Sequence, residues 1–108
     1  MKRGEVWWVN FDPAVGSEIK KTRPAVIVSN DISNHHSTRI QVIPLTSATQ
    51  KLYPPECFVM IKGKKSKAMA DQIMTVSKQR LYDRIGILDE IELQDVDRII
   101  SLQLGLDN

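Results

Sequence analysis

The chain has 108 residues, 42% of them hydrophobic and 26% charged, a composition that fits one domain over residues 1–108 and excludes a disordered or low-complexity chain. It contains no 18-residue apolar run and no signal-peptide pattern, so a soluble, unexported, cytoplasmic protein without membrane contact is expected. One cysteine, Cys57, excludes an internal disulfide, and the net charge of +2 is unevenly spread: residues 1–67 carry 11 Lys/Arg against 5 Asp/Glu, whereas residues 68–108 carry 4 against 8.

In chain order, residues 5–11 read as a strand rich in Val and Trp, with alternation sending one of Trp7 and Trp8 into the core. Asp12-Pro13 marks a turn, and a polar loop from Gly16 carries Lys20, Lys21 and Arg23. Residues 24–29 form an apolar, β-branched run that predicts a buried strand. Arg23 stands where loop meets strand, and Pro24 fixes φ beside it. A guanidinium so placed suits a phosphate in bidentate geometry, or a carboxylate at the strand end; the segment alone leaves both open.

Asn30-Asp31 and Asn34 predict a turn, and His35-His36 lies in the polar stretch 33–37, expected as a solvated loop. Adjacent residues diverge in direction, so this pair is a poor match for the two-histidine chemistry of pancreatic-type ribonucleases. Residues 39–45 and 57–62 predict strands, with Cys57 as a small core residue. Tyr53-Pro54-Pro55 and Lys62-Gly63-Lys64-Lys65 are turn formers, the latter a solvated hairpin tip or a phosphate contact. Residues 68–76 alternate and predict a fifth strand. Short strands so punctuated indicate a small, curved, mainly antiparallel sheet or barrel.

The end of the chain differs. Asp89 followed by Glu92 is a capping-box signature opening a helix to about Leu104. Leu93, Val96, Ile99, Ile100 and Leu104 form its apolar arc. Ile91 and Leu102 fall nearly opposite, as a second patch for a partner surface or as isolated exposed residues.

Four pieces in order, Arg3-Gly4-Glu5 with the strand to Phe11, Gly16-Ser17-Glu18 with Arg23-Pro24-Ala25-Val26, Gln41 to Ser47, and Ala70-Asp71-Gln72, resemble the MazF/PemK family of toxin endoribonucleases. The resemblance covers nearly the whole chain. It implies a mostly β (α+β) fold, a small SH3-like, PemK-type barrel with a C-terminal helix. It also implies sequence-selective cleavage of single-stranded RNA, a homodimer, and an antitoxin whose acidic, partly disordered tail covers the RNA groove.

RNA cleavage without a metal requires alignment of the 2′-hydroxyl, acceptance of its proton, and neutralisation of charge on the phosphoryl oxygens. The resemblance assigns Arg23 and Thr46 to that chemistry, with Glu18 as base or as a lock on Arg23. Asp71 matches an acid that some members pair with an Arg two residues earlier. Here that position is Met69, and Arg23 with Thr46 is the favoured core pair. Lys20, Lys21, Lys51, Lys62, Lys64, Lys65 and Lys67 are candidate phosphate contacts. Ser17, Thr22, Ser47, Asp71 and Gln72 complete the expected RNA-binding set, and Trp7, Trp8, Phe11 and Tyr53 are candidate base-stacking residues. No metal-ligand spacing and no phosphate-binding glycine fingerprint is present, so neither metal nor cofactor is expected. Two competing readings remain: a gyrase poison of the CcdB kind, which depends on a C-terminal Trp that Leu104-Gly105-Leu106-Asp107-Asn108 lacks, and a non-catalytic RNA-binding module.

Overall fold

A computed structural model describes residues 1–106. Four expected strands are present as β1 (Glu5–Asn10), β2 (Thr22–Ile27), β3 (Arg39–Thr46) and β4 (Glu56–Ile61). They join β5 (Lys64–Met69), β6 (Met74–Ser77) and β7 (Leu81–Ile87) in one curled antiparallel sheet of order β4-β5-β3-β2-β1-β7, with β6 also on β3. Two helices complete the chain, α1 (Asp31–His36) and α2 (Glu90–Leu104). The mostly β fold with a C-terminal helix is as expected.

The apolar runs in β2 and β3 arise because both faces of these strands are covered. Val26, Ile43 and Leu45 enter one core cluster with Val6, Cys57, Val59 and the α2 residues Val96 and Ile99. Ala25, Ile27, Ile40 and Val42 enter a second, with Val9, Phe11, Val76 and Leu81. Burial on both faces removes the polar alternation of a half-exposed strand. Cys57, only 1% exposed, has its thiol pushed up to about 12, first by burial and then by the nearby Asp95 carboxylate. It is an inert packing residue.

The expected fifth strand over 68–76 is not continuous. Met69 ends β5, Ala70–Gln72 makes a single 3-10 turn, and β6 begins at Met74. The reason lies in β3, which changes partner along its length: Arg39–Val42 pair with β6, and Leu45–Thr46 pair with β5. From Ala68, opposite Leu45, to Met74, opposite Val42, the chain takes six steps against three on β3, and the turn absorbs the excess. The lysine-rich hairpin is tighter than expected, because only Lys62 and Gly63 form the turn, at φ +50° and +77°. Those paired left-handed conformations match the twist of the flanking strands, and Lys64 and Lys65 belong to β5.

The expected turn at Asn30-Asp31 opens α1. Asn30 caps it by accepting from the Ser33 N–H at 2.8 Å, so His35 and His36 end a short helix instead of occupying a loop. In α2 the capping box is complete. The Asp89 carboxylate accepts from Glu92 N at 2.8 Å, and Glu92 Oε1 accepts from Asp89 N at 3.2 Å. Such a cap stabilises a helix by about 1 kcal/mol. The other Glu92 oxygen accepts from Met60 N at 2.7 Å, covering an N–H on the outer edge of β4. Leu104 departs from the expected apolar arc and is exposed, as are Ile91 and Leu102.

Candidate active site

The β2–β3 ladder runs through Ile27↔Val42, Val26↔Ile43 and Ala25↔Pro44, and then stops. The next residue of β2 is Pro24, which has no N–H to continue it. Beyond this point β2 stays with β1 as far as Asn10↔Thr22, while β3 turns to β5. The strands diverge, and the wedge between them is a cleft of about 550 Å³.

Its floor is apolar, made of Pro24, Leu45, Ile61 and Ile85, at the open end of the first core cluster. Arg23, Lys62 and Lys64 bring three cations to it, and Thr46, Ser47 and Ser66 bring hydroxyls. No carboxylate lines this cleft among the described residues. The choice between the two tryptophans is also settled. Trp7 packs on the second core cluster, and Trp8 lines the cleft with 40% of its surface exposed.

Arg23 is exposed, the second residue of β2 and opposite Val9. It forms no ion pair among the described residues. The strand-end carboxylate partner is therefore not observed, and the guanidinium stays available to an anion. Thr46 ends β3 half-buried, and its Oγ1 accepts from Ala48 N at 3.2 Å. That bond uses an oxygen lone pair and leaves the hydroxyl proton free to donate.

A second pocket of about 290 Å³ adjoins the first through their shared Ile19, and it collects Ser17, Glu18, Asp71 and Gln72. Gln72 Oε1 accepts from Ile19 N at 2.7 Å, pinning the β1–β2 loop to the 3-10 turn. Glu18 Oε1 accepts from Val15 N at 2.7 Å, which folds the carboxylate back over its own loop. The ion pair that would lock Arg23 is not formed among the described residues.

The same loop carries exposed Lys20 and Lys21, and exposed Thr22 follows as the first residue of β2. Lys21 adopts φ +66° and is held by its N–H donating to Asp12 Oδ1 at 2.8 Å and its carbonyl accepting from Phe11 N at 2.9 Å. Arg80 anchors the other side, donating to the carbonyls of Asn10 and Asp12. This is a braced loop that presents its cations outward.

Some expected contacts fall elsewhere. Lys64 and Ser66 share the cleft face of β5, so Lys65 alternates away and its ammonium sits 3.8 Å from the centre of the Phe58 ring. Lys67 is buried and paired with Glu56, removing it from the phosphate-binding set. Lys51 is exposed on the loop between β3 and β4. The histidines line no part of either pocket; His35 faces a separate hollow with Met1, Lys2 and Lys78. Ser66 and Ile85 are cleft residues that the sequence did not single out. Strand alternation from Lys64 would have found Ser66.

The model of the PemK-like, MazF-like toxin of type II toxin–antitoxin systems matches residues 2–104. The chain belongs to the PemK/MazF toxin family. It is 40% identical to Endoribonuclease MazF9 of Mycobacterium tuberculosis H37Rv, with 98% of each chain covered. It is 36% identical to Endoribonuclease EndoA of Bacillus subtilis, covering 98% of this chain and 96% of that one. These likenesses group it with the family's endoribonucleases. In fold, it is similar to an endoribonuclease in complex with its cognate antitoxin from a mycobacterial species, with a TM-score of 0.83 at 24% identity over 100% and 98% of the two chains. No helix among the described residues is long and apolar enough to cross a membrane.

Proposed function

We propose that this PemK/MazF toxin, acting as one domain over residues 1–108, cleaves single-stranded RNA in the cleft between β2 and β3. The observation that carries the reading is the cleft itself: three cations and three hydroxyls over an apolar floor, with an exposed indole at its mouth. Phosphates call for the cations, and an unstacked base calls for the indole and the apolar floor. The 2′-oxygen attacks phosphorus and the bond to the 5′-oxygen breaks. The products are a 2′,3′-cyclic phosphate and, once the departing 5′-oxygen takes a proton from solvent, a 5′-hydroxyl.

Arg23 pairs with the phosphoryl oxygens as charge builds on them, and Thr46 donates its free hydroxyl proton to one of them. Glu18, in the adjoining pocket on the loop that leads into β2, accepts the 2′-hydroxyl proton; Glu18→Gln compared with Asp71→Asn decides between the two acids of that pocket. Nothing in this scheme requires a metal. Full cleavage in excess chelator, with cyclic-phosphate ends on the products, is the expected result. Loss of activity in chelator with recovery on adding Mg²⁺ or Mn²⁺ would overturn it.

The partners proposed are a second copy of the chain and an antitoxin with an acidic tail. A solved relative in complex with its antitoxin supports the latter, and the exposed Ile91 and Leu102 on α2 offer apolar surface for the former. An acidic segment would compete with phosphate for Arg23, Lys62 and Lys64. Sedimentation is expected to give a dimer at micromolar concentration, and a persistent monomer would refute that half. An antitoxin that inhibits while RNA binding stays intact would refute the shared cleft.

A further inference from the structure

Lys67 and Glu56 are each only 7% exposed, and their charged groups meet at 3.0 Å. Burying an ion pair has a desolvation cost that its attraction seldom exceeds, so stability is a weak reason for it. Its remaining hydrogen bonds show what it does. Lys67 Nζ donates to the backbone carbonyl of Lys51 at 2.9 Å, and Glu56 Oε1 accepts from Tyr53 N at 2.8 Å. The pair thus grips the connection between β3 and β4 at two backbone points, and Ala70 N ties it a third time through the Pro55 carbonyl at 3.0 Å.

That connection leaves directly from Thr46, whose ladder partner is Lys67. It begins with Ser47, which lines the cleft, and it carries exposed Lys51 and Tyr53. We infer that the buried Lys67–Glu56 pair is a clamp that positions the 47–55 loop along the RNA path and so sets which sequences are cut. The inference rests on the reading of the β2–β3 cleft as the RNA site. Lys67 is a positioning residue: it touches no RNA and acts through Ser47, Lys51 and Tyr53. Without the clamp these side chains lose a fixed place relative to Thr46. RNA held by several placements at once loses affinity and discrimination, while Arg23 and Thr46, borne by strands, keep their geometry.

The test uses a double variant, because Lys67→Met alone leaves Glu56 buried without a partner and can fail to fold. Lys67→Met/Glu56→Leu removes both charges and keeps the volume apolar. For the double variant the expected results are a melting temperature close to that of the parent and faster hydrogen exchange at the Tyr53 amide. KM for an RNA oligonucleotide should rise about ten-fold with kcat within about three-fold, the pattern of lost binding that is uniform along the reaction. The cut-site profile on a mixed RNA pool should broaden. A purely structural pair would change the amount of active protein and not the relative cutting of different sequences. A folded double variant with parental KM and an unchanged profile overturns the clamp. Arg23→Ala, assayed alongside, separates the two readings: normal cleavage by it refutes the cleft assignment, whereas the clamp stands or falls on the double variant's profile.

Discussion

Arg23→Ala is expected to slow RNA cleavage by about a hundred- to a thousand-fold, the usual cost of removing one transition-state donor. The side chain is exposed and unpaired among the described residues, so the fold and melting temperature should be nearly unchanged. Arg23→Lys keeps the charge and loses the planar fork, and it should recover only part of the rate. Thr46→Ala should be impaired less, because it removes one neutral donor beside an intact guanidinium. Single-turnover kinetics on a short oligonucleotide reads both. A folded Arg23→Ala protein that cleaves at the parental rate would remove Arg23 from the mechanism.

RNA binding should also weaken steeply with salt. Five cations, Lys20, Lys21, Arg23, Lys62 and Lys64, lie on the cleft or on its loop. With four phosphate contacts among them, the slope of log K against log salt is about −2.8, at about −0.7 per contact for a single strand. Raising salt from about 50 to 200 mM should then cost about fifty-fold in affinity. Lys64→Ala should flatten the slope by about 0.7, and Lys65→Ala should leave it unchanged, since Lys65 rests on Phe58 away from the cleft. Fluorescence anisotropy with an oligonucleotide carrying a 2′-deoxy residue at the cut position measures binding alone. A slope shallower than about −1 would mean that the cations are not on the RNA path.

Strands β1 to β4 were legible because their β-branched runs are bounded by turn residues, and α2 because Asp89 and Glu92 announce its cap. The break at Ala70–Gln72 was hidden, since Ala68, Ala70 and Gln72 keep alternating across it. What interrupts the strand is its register against β3, where six steps from Ala68 to Met74 face three from Leu45 to Val42, a tertiary match with no local marker. Strand β7 was missed because it is an edge: only Leu81 is buried, while Tyr82, Asp83 and Arg84 are exposed. In the site, Arg23, Thr46, Ser47 and Lys64 were named from the sequence and converge on one cleft. Lys65 and Lys67 were grouped with them by charge, and the two-residue turn at Lys62-Gly63 sorts them to the other face. The burial of Lys67 depends on Glu56, brought beside it by the register of β4 against β5, which composition cannot reveal.

The way the cleft is made bears on how the protein can be restrained. Both walls belong to one continuous sheet, and their separation follows from a missing amide hydrogen at Pro24 and from the departure of β3 toward β5. The one loop that reaches the cleft from the β1–β2 side does so through Ile19, whose N–H donates to Gln72 and ties it to the 3-10 turn. Drawing the walls together would mean bending ladders on either side, each already committed to its own neighbours. If RNA is cut in this cleft as proposed, restraint falls to a second molecule that fills the gape.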